Sequence, residues 1–185
     1  MGIESENGFT LIELVLAIII VAILGSVVSL GLSGLSSARL NQAENKVIGD
    51  LRYAQQLAIS TRTRHGLTIA AGGSGYSVHI DGGVAPFLCG GEKCIPDPIN
   101  LGRDFIVDFN TYQQGQLAGV QFNSLTPFCP AGCGACEATL EFNSRGAPTN
   151  TSGTEWACDV TVVLSKSGTA NQTITITANT GKVSG

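Results

Sequence analysis

The residues with the most evident chemistry are six cysteines, Cys89, Cys94, Cys129, Cys133, Cys136 and Cys158. Cys133-Gly-Ala-Cys136 has the spacing of a metal knuckle or a redox pair, and Cys89-x4-Cys94 offers two further thiolates to a zinc ion. That spacing departs from a standard zinc finger, and the uncharged apolar stretch of residues 14–38 is expected to hold the following domain outside the cytoplasm, where thiols oxidise, so an even cysteine count favours disulfides. Disulfides stapling two long loops, 84–101 and 126–137, are therefore expected, with no metal. The sequence does not choose among the pairings, and closure of Cys89 with Cys94, neighbours in the chain, is the first to expect.

Other chemistry-bearing residues form no catalytic set. His65 and His79 are the only histidines and stand in no recognisable motif. Each is read as a surface or strand residue. Gly72-Gly73-Ser74-Gly75 joins two strands instead of opening a helix, which makes it a turn and not a phosphate cradle. Asp104 and Asp108, four apart on a strand, read as a solvated face. Arg62, Arg64, Lys166 and Lys182 are scattered cations without an aromatic platform, a thin basis for binding DNA. A net charge of −4 supplies no general basic field either. No nucleophile, base and orienting group can be assembled, so an enzyme is not expected and no cofactor is implied.

These residues need elements to position them, and the chain divides by hydrophobic period. Residues 14–38 carry no charge, and Leu14 to Leu24 reads LVLAIIIVAIL without a polar side chain. A bilayer core takes about 20 helical residues, so this stretch is long enough to span a membrane. A cleavable secretory signal would need a basic start, whereas Met1 to Gly8 holds Glu4 and Glu6 and no Lys or Arg. From Arg39 onward Leu40, Ala43, Val47, Leu51, Ala54 and Ala58 recur at helical spacing, with Gln42, Asn45, Lys46, Asp50, Arg52 and Gln56 on the opposite face. No proline precedes Pro86. One helix from Phe9 to Thr61 is expected, on the order of 80 Å long at 1.5 Å per residue. Gly25, Gly31 and Gly34 are its weak points.

After Gly66 the period falls to two. Strands are expected at 66–70, 76–80, 105–109, 119–123, 139–143, 159–164 and 173–178, with hairpins across Ala-Ala-Gly-Gly-Ser-Gly and across SKSGTANQ. Short strands with no helical period between them imply an antiparallel β domain.

Gly8-Phe9-Thr10-Leu11-Ile12-Glu13, followed at once by the apolar run, resembles the amino terminus of type IV pilins and type II secretion pseudopilins. The resemblance implies cleavage between Gly8 and Phe9 by a membrane-bound prepilin peptidase, methylation of the new Phe9 amine, and retention of the apolar helix. It implies that Glu13 pairs with the Phe9 amine of a neighbouring subunit and so sets register in a filament. A carboxylate at membrane depth costs about 2.5–3.5 kcal/mol without a partner, which gives such a pairing a physical motive; a snorkelling surface carboxylate is the alternative. The helix segment Gly49 to Ile59, the strand that follows it, Leu140-Glu141-Phe142-Asn143-Ser144-Arg145-Gly146 and the closing Asn179-Thr180-Gly181-Lys182-Val183 look like the minor pseudopilin GspH/FimT group.

The expectation is an α+β protein in which a long amino-terminal helix packs on a carboxy-terminal antiparallel β-sheet or sandwich. Residues 1–8 are the leader, 9–35 the transmembrane or filament-core helix, 36–62 its amphipathic half, and 63–185 an extracytoplasmic β domain. The resemblance implies a structural subunit of a pseudopilus or pilus, anchored in the bacterial inner membrane by a single pass, with other pilin or pseudopilin subunits and the peptidase as partners. A filament-tip module that binds DNA or a secreted substrate is the alternative.

Overall fold

The computed structural model describes residues 10–80, 94–124, 126 and 128–185, with residues 26–33 described by their backbone alone. The chain divides into two compact units, 1–35 and 36–185. Helix α1, Leu11–Thr61, is 51 residues long. It runs through Gly25, Gly31 and Gly34, and it stops where Arg62 takes a left-handed φ of 58° that reverses the chain into the first strand.

Packing of the second unit follows the helical period. Leu40, Ala43, Val47, Leu51, Ala54 and Ala58 are all buried to within 1% of complete. One expectation fails on this helix: Asp50, placed on the polar face by the sequence, is buried. It sits between core positions Val47, Leu51 and Ala54, and its charge is tolerated because two donors reach it, as described below.

Two antiparallel sheets complete the unit. The first comprises β1 (His65–Ile69), β2 (Gly75–Ile80), β3 (Ile106–Asp108), β6 (Thr139–Phe142) and β7 (Pro148–Thr149), in the order β3-β2-β1-β6-β7. The second comprises β4 (Val120–Phe122), β8 (Val160–Lys166), β9 (Gln172–Ile176) and β10 (Val183–Ser184), in the order β10-β9-β8-β4, and β5 (Cys129–Pro130) also pairs with β8. Both expected hairpins are present as β1–β2 and β8–β9. The helix, Leu67, Tyr76, Leu140 and Phe142 of the first sheet and Val162, Leu164, Ile174 and Ile176 of the second share one hydrophobic core. Thus the α+β class holds.

The two sheets differ in how they alternate. In β8, Val160, Val162 and Leu164 are buried while the residues between them are half-buried, the pattern of a strand with one wet face. In β1 all five residues are buried. Its second face is polar: register places Thr68 opposite Ser77 and Thr139, and Gly66 opposite His79 and Glu141. Gly66 is required there, because a Cβ would overlap the Leu140 carbonyl oxygen.

Candidate functional site

The amino-terminal segment is the candidate site. Gly8 and Phe9 lie outside the described residues. Thr10 stands immediately before α1, and its hydroxyl accepts the Glu13 N–H at 3.3 Å while its carbonyl accepts the N–H groups of Glu13 and Leu14 at 3.1 and 3.2 Å. Glu13 therefore falls in the first helical turn. From there the apolar side chains are bare: Leu11 is 82% exposed, Ile18 61% and Leu24 60%. Exposure of contiguous large apolar residues on this scale marks a surface that another apolar body covers. Among the described residues no helix is long and apolar enough to cross a membrane. The expected span of 9–35 includes residue 9 and the side chains of 26–33, which are not described.

A second polar cluster joins α1 to the first sheet. The Lys46 ammonium lies 2.6 and 2.5 Å from the two oxygens of Asp50, and the fully buried Tyr76 hydroxyl donates to Asp50 Oδ2 at 2.5 Å. Burial pushes the Asp50 carboxyl above its ordinary range, although Lys46 and Tyr76 pull it back. Burial, reinforced by the adjacent carboxylate, raises the Tyr76 phenol well above its usual value. Lys46 also sits 5.0 and 5.7 Å from the ring centres of Phe105 and Tyr112. A surface cavity of about 420 Å³ opens beside it, lined also by Asp97, Asn100 and Arg103. Asp97 is committed to its own loop: burial opposes its charge, but the Asn100 amide and the Ile99 and Asn100 backbone N–H groups hold its carboxyl below the usual range. This cluster reads as an internal fastening.

Three side chains, Arg64, Gln55 and Arg52, tie the family-like segments together. The Arg64 guanidinium pairs at 3.2 Å with Glu141, which is fully buried. Gln55 Nε2 donates to the carbonyls of Gly146 at 2.9 Å and Thr180 at 3.0 Å, and Arg52 donates to the Val183 carbonyl at 2.8 Å. Hence the helix holds both the Leu140-to-Gly146 segment and the closing segment by direct hydrogen bonds. A polar residue on the half-buried edge of the helical stripe was the available signal for Gln55.

Two of the four cations suggested for DNA are engaged within the fold. Arg64 is committed to Glu141, and Lys166 Nζ donates to the Ala118 carbonyl at 2.6 Å. His65 and His79 are both buried strand residues, not surface ones, and His79 Nε2 lies 2.9 Å from the Thr68 hydroxyl. Asp104 is exposed, and Asp108 accepts the Asn110 N–H.

Disulfides link Cys129 to Cys136 and Cys133 to Cys158, and Cys94 is also disulfide-bonded. Among the described residues no cysteine is free. Cys133 and Cys136 thus belong to two different bridges rather than to one redox pair. Cys89 lies outside the described residues.

Residues 5–29 match the family described as the prokaryotic N-terminal methylation motif. No curated protein matches the chain. Among solved structures the chain is similar to the type IV minor pilin FimU of Pseudomonas aeruginosa, with 14% identity over 80% of this chain and 88% of that one, at a TM-score of 0.48. It is also similar to the minor pseudopilin EpsH of the Vibrio cholerae type II secretion system, with 12% identity over 80% of this chain and 92% of that one, at a TM-score of 0.49. The likeness to the methylation motif is confined to residues 5–29, and the fold assignment rests on the helix and strand register above.

Proposed function

We propose that this chain, which carries the prokaryotic N-terminal methylation motif on an α+β fold, is a structural subunit of a type IV pilus or type II secretion pseudopilus, of the minor pilin or minor pseudopilin kind. The observation that carries the proposal is the match over residues 5–29, of which 11–29 lie on a helix whose large apolar side chains are exposed from Leu11 to Leu24. Prepilin peptidase cuts between Gly8 and Phe9 and methylates Phe9. Residues 9–35 then anchor the protein in the bacterial inner membrane, with the β domain on the periplasmic or extracellular side. The protein has no catalytic activity of its own.

The physics of assembly favours a charge-driven step. Lipid tails are as apolar as leucine, so burying Leu11 to Leu24 against other helices gains little over leaving them in the membrane. A carboxylate at membrane depth is different, costing about 2.5–3.5 kcal/mol until it meets a cation. Glu13 meets the Phe9 amine of the next subunit, both charges are neutralised, and transfer from membrane to filament becomes downhill.

Mass spectrometry of the protein recovered from the cell envelope tests this reading. Loss of 8 residues from 185, leaving 177, with one methyl group on Phe9, is expected. An intact Met1, or a new terminus beyond residue 25, contradicts it.

A further inference from the structure

The cavity beside Lys46 has polar lining that the fastening of Asp50 does not use. We propose that this cavity binds a neutral saccharide unit, through hydrogen bonds from Asn100, Arg103 and Asp104 to its vicinal hydroxyls and through contact of the Tyr112 ring with its C–H face. All of these residues belong to the unit 36–185, so the site stands independently of the filament reading. Lys46 is spent on Asp50, whereas the exposed side chains of Arg103 and Asp104 have no partner among the described residues. The Asn100 amide nitrogen donates to Asp97 Oδ2 at 2.9 Å, which fixes the side chain and leaves its own carbonyl oxygen to accept.

The lining selects the class of ligand. Its cations, Lys46 and Arg103, are matched by its anions, Asp97 and Asp104, so the cavity has no net charge with which to gather an anion or a cation. Free donors and free acceptors nevertheless stand together in planar groups, the form that pairs with two adjacent hydroxyls at once. A sugar ring offers such hydroxyls and also an apolar C–H face, for which the half-buried Tyr112 ring and the buried Phe105 and Val107 supply surface. A volume of about 420 Å³ lies within the range of small-molecule sites and admits a mono- or disaccharide. The cavity is also set before a ligand arrives. Asp97 N–H donates to the Arg103 carbonyl at 2.9 Å and Arg103 N–H to the Asn100 carbonyl at 3.1 Å, closing the loop that carries the polar side chains. The turn that supplies Tyr112 holds Gln113 and Gln114 at left-handed φ values of 44° and 63°. Strain of this kind in residues other than glycine concentrates where ligands are clamped.

The test uses the full chain in a zwitterionic detergent without sugar head groups, and reads saturation transfer by NMR to the methyl α-glycosides of glucose, mannose and galactose. Between them these probes present trans and cis vicinal hydroxyl pairs. At least one is expected to bind with a Kd of about 1 mM, the affinity of a small, open site. Arg103→Ala and Asp104→Ala, both exposed, are each expected to weaken that binding about tenfold while leaving the unfolding midpoint unchanged. Lys182→Ala, which removes an exposed cation outside the lining, binds as wild type.

Saturation transfer to none of the three glycosides overturns the proposal. Binding that survives both Arg103→Ala and Asp104→Ala places the sugar elsewhere on the protein and overturns it as well. Displacement of the sugar by an equal concentration of inorganic phosphate or of methylammonium assigns the cavity to a charged ligand, which also contradicts it.

Discussion

The Tyr76 hydroxyl of β2 donates to the Asp50 carboxylate of α1 at 2.5 Å, across a contact in which both residues are buried. This bond helps to fix the rotation of the amphipathic helix on the first sheet, since a small turn of the helix would break it and leave the buried Asp50 without the phenol donor. Lys46 completes the pair from one helical turn earlier. Two donors, the Lys46 ammonium and the Tyr76 hydroxyl, offset the cost of burying this carboxyl.

Removing the phenol oxygen should therefore be costly despite the small change in shape. Tyr76→Phe leaves Asp50 with Lys46 alone and is expected to cost about 1.5–3 kcal/mol, the range for a hydrogen bond to a charged group. Denaturant unfolding, with the slope unchanged and the midpoint lowered, checks this. An unchanged midpoint contradicts it.

Asp50 also predicts a pH dependence. Its carboxyl is raised in the fold above the unfolded value of 3.8, so the folded chain binds that proton more readily than the unfolded one. The group therefore penalises the fold at neutral pH, and the penalty is relieved as pH falls through the folded value toward 3.8. The stability of wild type minus that of Asp50→Asn should rise on acidification over that window and level off below it. A difference that falls on acidification contradicts the assignment.

The bridge between Cys133 and Cys158, 25 residues apart, staples the loop before β6 to the segment before β8. Replacing both by serine should lower stability by about 2–4 kcal/mol. Non-reducing peptide mapping should recover the Cys129–Cys136 and Cys133–Cys158 links, and thiols should resist alkylation until the protein is denatured and reduced. Stoichiometric zinc with reactive thiols contradicts this.

Two glycines should respond with opposite signs. Gly181 has φ +64°, and a Cβ there would overlap the Gly146 carbonyl oxygen beside Gln55, so Gly181→Ala should cost at least ~1–3 kcal/mol. Gly49 lies on the exposed face of α1 with nothing within 4 Å, so Gly49→Ala should stabilise by about 1 kcal/mol. Thermal melts of the two variants check both signs.

Much of this was legible in the sequence wherever one periodicity decided the outcome. The six core positions from Leu40 to Ala58 and both hairpins follow from spacing alone. Asp50 was misplaced because a helical wheel treats a charged residue as surface, whereas its burial depends on Tyr76, 26 residues away. The polar second face of the first sheet was hidden for a similar reason: Thr68, Ser77, His79 and Glu141 look like a solvated face until something covers them. Short strands such as Pro148–Thr149 and Val183–Ser184 carry too few residues to show a period. Glu141 and Gln55 act through partners distant in sequence, Arg64 and the Gly146 and Thr180 carbonyls, which no local pattern announces.

The central claim is that Glu13 drives subunits from the membrane into a filament. Its most direct measurement is the amount of Glu13→Gln protein recovered in sheared filaments relative to the membrane fraction, with leader removal verified by mass. The substitution keeps size, removes a charge that opposes membrane residence, and leaves the β domain untouched. The account predicts normal processing and membrane insertion with strongly reduced incorporation. Incorporation at the wild-type level would contradict it.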